Sequence, residues 1–478
     1  MDLTKRTFVK DIVEELSNEN VAVFAGAGLS APAGFVNWAQ LLEPIAEELG
    51  LDTSKERDLV SLAQYHCNDN SANRSKLNQL LIEEFSKDAQ STETHKILSR
   101  LPIRDYWTTN YDKLIEKTLI DYGRKPDVKH TVEQLAHTKP RRDAVIYKMH
   151  GDVDHPSDAI LTKDDYESYH VEMQPFLSAL SGDLVSKTFI FIGFSFTDPN
   201  LDYILSRVRL SYNKNQRRHY CFQKKVSQNI NESDVEFEYR ERKQEYFIND
   251  LKRFNIRTIL IDDYDEIPEL LSTIERKHNS KSVFISGAAH DFGDWSKECA
   301  EQFTHDLSKN LIKKQFRIVS GFGLGIGSAV ISGALSEIYM NSNNHSDDQL
   351  ILKPFPQSVM PDQDKKELWS KYREQMLSYS GVSIFLFGNK IVDGKVIPSN
   401  GMQEEFDIAK DKGLFLLPIG CTGYVAQELW EKVNADFDSF NKDCSDEIKR
   451  LFSTLGSSDS DRSKVIETTV EIVSKLTK

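Results

Sequence analysis

At 478 residues the chain is too long for a single hydrophobic core, and two or three domains are expected. Hydrophobic residues at 39% and charged residues at 28% are an ordinary globular balance, and a net charge of −14 argues against nucleic acid or an anionic membrane surface as a partner. The five cysteines, Cys67, Cys221, Cys299, Cys421 and Cys444, form no CxxC pair and no zinc-spaced cluster, so neither a disulfide framework nor a metal site is expected and a reducing cytoplasm fits.

The opening stretch, residues 1–16, is charged and lacks an apolar centre, so no signal peptide is expected. No segment approaches the length needed to span a bilayer. From residue 21 onward, short runs rich in β-branched and aromatic residues recur: 21–26 (VAVFAG), 105–110 (DYWTTN), 144–151 (AVIYKMHG), 188–195 (TFIFIGFS), 219–222 (HYCF) and 256–262 (IRTILID). Each is nearly continuous in apolar residues, as strands of a parallel sheet buried on both faces must be. Amphipathic helices are predicted between them, as in NWAQLLEPIAEELG and DLVSLAQYHC. The alternation predicts an α/β doubly wound fold.

Residues 263–282 read as a charged helix and a short linker. A second strand–helix series follows at 282–288, 317–323, 350–355, 381–388 and 414–420. The expected domains are therefore 1–281 and 282–478, both Rossmann-like. The polar stretches 341–349 and 357–367 are expected as surface loops.

Four strands of the first series end in residues suited to a ligand. Ala25 leads into Gly26-Ala27-Gly28-Leu29-Ser30, where glycines allow close backbone approach and a following helix N-terminus could receive a pyrophosphate. Thr108-Thr109-Asn110-Tyr111-Asp112 closes the second strand and His150-Gly151-Asp152 the third. Gly193-Phe194-Ser195 closes the fourth, with Thr197-Asp198-Pro199-Asn200-Leu201 beyond it. In an open α/β sheet the ligand crevice lies outside the carboxyl ends of the strands, so the four endings converge. Taken singly, Asn110 could equally cap a helix starting at Tyr111, and His150 could be a hydrogen-bonded core histidine.

The order GAG-x-S, T-x-N-x-D, strand-terminal His-Gly and G-F-S resembles the sirtuin family, across roughly residues 10–260. The resemblance implies an NAD site and cleavage of the nicotinamide–ribose bond, with NAD as substrate and no metal. Carried onto this sequence, Gly26, Ala27, Gly28 and Ser30, with Ala25 and Thr109 beside them, would line the pyrophosphate and ribose. Asn110 and Asp112 would hold the nicotinamide-side ribose and an attacking water, and His150 would be the general base. Gly193 and Ser195 would contact the adenosine half, and Asn200 is expected among the NAD-binding residues. Protein-deacetylating sirtuins carry a zinc module with two CxxC pairs, which this chain lacks. That departure disfavours a protein deacylase and leaves water as the expected acceptor.

In the second series the strand containing Gly287 is followed by Ser320-Gly321-Phe322-Gly323-Leu324-Gly325-Ile326-Gly327-Ser328, a glycine-rich loop running into an apolar helix. Arg373 lies in a helical segment, Gly388-Asn389-Lys390 follows a strand, and Asn400-Gly401-Met402-Gln403-Glu404-Glu405-Phe406 follows that. This half resembles the SLOG superfamily of nucleotide-binding domains. Its enzymatic members have a PGGxGTxxE motif at the last position. Here only Glu405 matches, which favours binding over catalysis. Gly287, Gly321, Gly323, Gly325, Arg373, Gly388, Lys390 and Glu405 are the expected activator-binding residues, the cations for phosphate and Glu405 for ribose or base. Arg373 and Lys390 could also be solvated charges.

A sirtuin-like domain followed by a SLOG domain resembles the NAD-consuming effectors of the Thoeris antiphage defence system. That resemblance implies a cyclic ADP-ribose isomer made by a TIR-domain partner, its binding to the SLOG domain, depletion of NAD, and a homotetramer in the cytoplasm. A non-catalytic nucleotide-binding regulator is the alternative from a different class.

Overall fold

In the computed structural model the buried apolar runs of the N-terminal half become β1 (Val21–Ala25), β2 (Asp105–Thr108), β3 (Pro126–Lys129), β4 (Ala144–Lys148), β5 (Thr188–Ile192), β6 (His219–Lys224) and β7 (Ile256–Ile261). They form one sheet in the order β3-β4-β2-β1-β5-β6-β7, with every neighbouring pair parallel. The structure describes all residues except 1, 57, 197, 213–215, 231, 356–364, 443, 458–460 and 478. The loop expected at 357–367 therefore lies outside the described residues up to 364, and residues 365–367 open the helix Lys365–Leu377. Thr197 also lies outside them.

β1 shows why these strands are apolar throughout. Val21, Val23 and Ala25 pack on one side with Phe8 and Ile12 of the helix Leu3–Ser17, while Ala22 and Phe24 pack on the other with Trp107, Phe176 and Leu180. Helices cover both faces, so no residue of the strand meets water. Complete burial of a side chain such as Phe24 stabilises the fold by about 1.5–3 kcal/mol.

β3 has no apolar run. Its inward residues are Asp127 and Lys129, which pair at 2.9 Å, and Arg142 reaches the same carboxylate at 3.0 Å. Residues 37–50 form two short helices, Trp38–Leu41 and Glu43–Glu48, because Pro44 starts a new helix and cannot continue the old one. With Leu62, Leu81, Phe85, Tyr111 and Leu114 they build a separate apolar cluster beside the sheet edge.

The chain divides into two units, Met1–Glu275 and Arg276–Lys478. The second holds β8 (Ser282–Ala288), β9 (Arg317–Ser320), β10 (Leu350–Leu352), β11 (Val382–Phe387), β12 (Asn389–Val392), β13 (Lys395–Pro398) and β14 (Phe415–Pro418). Five of these form a parallel sheet in the order β10-β9-β8-β11-β14. β12 and β13 form an antiparallel hairpin around Asp393 and Gly394, whose φ values of 50° and 75° suit a tight two-residue turn. Both parallel sheets reverse direction around their first strand, β1 or β8, so each has a topological switch point at that strand's carboxyl end. Among the described residues no helix is long and apolar enough to cross a membrane.

Candidate active site

The switch point of the first sheet opens into a cavity of about 410 Å³, within the range of small-molecule sites. Gly26, Ala27, Gly28, Ser30, Thr109, Asn110, Asp112, His150, Gly193 and Ser195 all line it. Ala25 lies behind them, buried at the end of β1. Its carbonyl accepts from Thr108 Oγ1 at 3.0 Å and from the Thr109 amide at 3.3 Å. Asn200 is not among the lining residues; it is buried in the first turn of the helix Pro199–Tyr212 with its Nδ2 unpartnered.

The glycines bring two loops into backbone contact. Gly26 donates to the Ile192 carbonyl at 3.0 Å and Gly28 to the Gly193 carbonyl at 2.9 Å. Those amides are thus already paired, and what the glycines supply is the missing Cβ. One built on Gly26 would lie 2.5 Å from the Gly193 oxygen, and one on Gly28 would lie 2.8 Å from the Gly193 Cα. The helix that follows is only the single turn Ala27–Ser30.

Asn110 is fixed from both ends. Its amide donates to Thr108 Oγ1 at 2.9 Å, and its Nδ2 donates to the Gly26 carbonyl and to Ser30 Oγ, each at 3.1 Å. The next helix starts only at Leu114, so Asn110 does not cap it. Asp112 instead turns the chain ahead of that helix, its Oδ1 accepting from the Leu114 amide at 2.9 Å, while its Oδ2 is buried without a partner. A buried orphan acceptor costs free energy unless a ligand group satisfies it, and this one belongs to a residue of the cavity wall.

Beneath these residues lies Lys148, the last residue of β4, with a fully buried side chain. Its ammonium donates to the carbonyls of Tyr111 (3.1 Å) and Asp112 (2.7 Å) and to the carboxylates of Glu116 (3.0 Å) and Asp152 (2.6 Å). Burial alone would push its pKa down, but Glu116 and Asp152 outweigh that and raise it. Burial likewise pushes Asp152 up, and Lys148 more than reverses it. The network ties the loop carrying Asn110 and Asp112 to the loop carrying His150. Sequence reasoning missed it; the signal was a lysine in an otherwise apolar strand, two residues before His150.

His150 is buried at the cavity wall with its Nε2 3.0 Å from Asp198 Oδ2, at ion-pair distance without the alignment of a hydrogen bond. The ring is boxed edge-on by Tyr166 and Tyr169, with centroids 5.5 and 6.4 Å away. Asp198 and Tyr166 line the cavity, as do Phe35, Trp38, Phe85 and Tyr111; the sequence reading gave none of them a role, although Asp198 and Tyr111 lie in the strand-end segments it singled out. The aromatic wall supplies apolar, stackable surface opposite the polar loops.

In the second unit the glycine-rich loop folds over the end of β8. The Ala289 amide donates to the Leu324 carbonyl at 2.9 Å, and a Cβ on Gly323 or Gly325 would overlap the carbonyl of Gly287 or Ala289. Gly388 (φ 111°) donates to the Ala288 carbonyl at 2.9 Å, and Lys390 follows on β12. Arg373 is buried rather than solvated. Its guanidinium pairs with Glu404 at 2.7 Å and Glu405 at 3.4 Å and lies over the rings of Phe355 and Trp369, at 5.0 and 5.9 Å. Glu405 also accepts from Ser286 Oγ of β8 at 2.5 Å. Burial raises its pKa against the opposing pull of Ser286 and Arg373. A Cβ on Gly321 would lie 2.9 Å from the Phe355 ring, which places Gly321 beside the same cluster.

Comparison with known proteins agrees with both halves. Residues 104–249 match the SIR2-like domain, and residues 266–476 match the Sir2- and TIR-associating SLOG family. Over nearly its whole length the chain is similar to proteins named NAD(+) hydrolase ThsA. It is 55% identical to that of Bacillus cereus (strain MSX-D12), over 98% of this chain and 97% of the relative. Identity to that of Acinetobacter baumannii (strain 532279) is 48%, over 94% and 95%. Identity to that of Cytobacillus dafuensis is 44%, over 100% and 97%. The chain belongs to the family these proteins form.

Proposed function

We propose that this member of the ThsA family hydrolyses NAD to nicotinamide and ADP-ribose in antiphage defence, and that its C-terminal domain switches the activity on. The observation that carries the catalytic half is the meeting of Asn110, Asp112 and His150 around one cavity, the first two on the loop after β2 and the third after β4. Loss of nicotinamide leaves positive charge on the ribose carbon. Asp112 Oδ2, buried and unpartnered, can accept from a ribose hydroxyl or the attacking water. Asn110, clamped through Nδ2, presents a fixed carboxamide oxygen to the same centre. His150 takes the proton as water adds and nicotinamide departs with the bonding pair, and such a positioned base contributes about 10²–10⁴-fold. The pyrophosphate and ribose would lie along Gly26–Gly28 and Ser30, and the adenosine half against Gly193 and Ser195.

The domains are taken as 1–281 and 282–478, the second binding a cyclic ADP-ribose isomer made by a TIR-domain partner. Arg373, Glu405 and Gly321 sit together at the end of β8, and the matched SLOG family is described as associating with both Sir2 and TIR domains. A homotetramer in the cytoplasm is the assembly proposed, in keeping with the Thoeris resemblance. Separation of the products tests the reaction. Nicotinamide and linear ADP-ribose should form in equal amounts, and a cyclised product, or release stimulated by an acyl-lysine peptide, would contradict hydrolysis.

A further inference from the structure

Asp198 has a role that its position at the start of a helix does not explain. Its carboxylate, with a side chain 9% exposed, divides its two oxygens between two tasks. Oδ1 accepts from the amides of Asn200 at 2.9 Å and Leu201 at 3.0 Å, which caps the helix Pro199–Tyr212. One oxygen suffices for a cap. Oδ2 faces His150 Nε2 at 3.0 Å. The helix amides fix the carboxylate's orientation, and the positive end of the helix dipole favours its ionised form.

The other groups around the imidazole are of a different kind. Tyr166 and Tyr169 meet it with ring edges, and burial raises both phenols, so they remain neutral. Tyr169 spends its hydroxyl on the Met149 carbonyl at 3.0 Å. Asp112 lines the same cavity from the β2 side with one oxygen on the Leu114 amide. Among the described residues, Asp198 is the carboxylate at ion-pair distance from His150.

We propose that Asp198 is the positioning residue of the general base: its charge beside Nε2 favours the Nε2-protonated ring, leaves Nδ1 as the basic nitrogen, and stabilises the imidazolium formed during hydrolysis. This rests on the reading of His150 as the base for NAD cleavage. In the step, the water oxygen bonds to the ribose carbon and the carbon–nitrogen bond breaks with its electron pair leaving on nicotinamide. The water proton passes to Nδ1, and the imidazolium later gives it to solvent. A carboxylate paired with the distal nitrogen of a catalytic histidine fixes the tautomer in the same way wherever it occurs.

The test uses the full chain and the substitution Asp198→Asn. Asparagine caps helices as well as aspartate does, so a purely structural role predicts little change. A side-chain amide can instead donate to Nε2 and invert the tautomer. Nicotinamide release from NAD, with a cyclic ADP-ribose isomer present, should fall on the order of 10²-fold in kcat with KM and the melting temperature held. On a His150→Ala background Asp198→Asn should cost nothing further. Selective ¹⁵N-histidine NMR should show His150 as the Nε2-protonated tautomer in the native chain and as the Nδ1-protonated one in Asp198→Asn.

A full rate in Asp198→Asn, or an equal loss on the His150→Ala background, would overturn the proposal. If the native chain released no nicotinamide at all, the reading of the cavity as an NAD-cleaving site would fail, and the NMR tautomer would still decide the pairing. An identical His150 tautomer in both proteins would end it.

Discussion

Gly28 and Gly193 meet backbone to backbone, with the Gly28 amide donating to the Gly193 carbonyl at 2.9 Å. A Cβ on Gly193 would overlap the Leu29 amide and the Gly28 carbonyl carbon, and the residue has a φ of 65°, where side chains are strained. Both loops line the cavity, so this contact sets its floor.

Gly193→Ala should therefore lose function as well as stability. A strained backbone position costs about 1–3 kcal/mol, and the two loops must separate to admit the methyl group. Thermal melting should fall by several degrees and NAD cleavage at least about tenfold. Native values for both would show that the loops tolerate separation.

Lys148→Met would leave Glu116 and Asp152 buried without their cation. Removing one partner of a buried ion pair typically costs about 3–5 kcal/mol. Chemical denaturation should show a loss of that size in the N-terminal unit. Adding Glu116→Gln and Asp152→Asn should restore part of it. Failure of the triple variant to recover stability would mean that the ammonium's bonds to the Tyr111 and Asp112 carbonyls dominate.

Arg373→Ala should leave the N-terminal cavity unaltered and abolish the response to a cyclic ADP-ribose isomer. Titration calorimetry with that nucleotide should show binding weakened by at least about tenfold, since a charge-assisted phosphate contact contributes about 1.5–3 kcal/mol. In the structure Arg373 is held by Glu404, so a bound phosphate has to compete with that carboxylate. Glu404→Gln should accordingly tighten binding. A normal response in Arg373→Ala would place the sensor elsewhere.

Acid should destabilise the chain before its carboxylates protonate. Burial lowers His95 to about 4 and both His219 and His278 to about 3. In the unfolded chain these histidines protonate near pH 6.5, so from there down the unfolded state binds more protons and stability falls with pH. Each contributes about 1.4 kcal/mol per pH unit over that window. Melting temperatures should drop steadily from about pH 6.5 to 4.5. A flat profile would mean that these rings reach solvent.

Most of the fold was legible because its strands are buried on both faces, as β1 shows by packing Val23 one way and Phe24 the other. β3 was not, since its inward residues are Asp127 and Lys129, a pairing that hydropathy reads as surface. The β12–β13 hairpin carried a readable Asp393-Gly394 turn that was passed over. At the cavity, Asn110 and His150 stood out because they close strands. Lys148 and Asp198 act through them, and only the folded chain brings Lys148 to Glu116 or Asp198 to His150. The aromatic wall was unreadable for the same reason, with Phe35 and Phe85 stacked 5.8 Å apart across fifty residues of sequence. Arg373 was expected at the nucleotide site as a cation for phosphate; its enclosure by Glu404, Phe355 and Trp369 was not foreseen.

The most direct test is nicotinamide release from NAD by the purified chain, with and without a cyclic ADP-ribose isomer, for the native protein and for Asn110→Ala. Asn110 is anchored to Gly26 and Ser30 through Nδ2 and contributes nothing to the helix that follows, so its loss should spare the fold. The account predicts release that needs both the nucleotide and Asn110, with the variant slowed on the order of 10²-fold or more. Equal release by Asn110→Ala, or no release by the native chain while NAD remains bound, would contradict it.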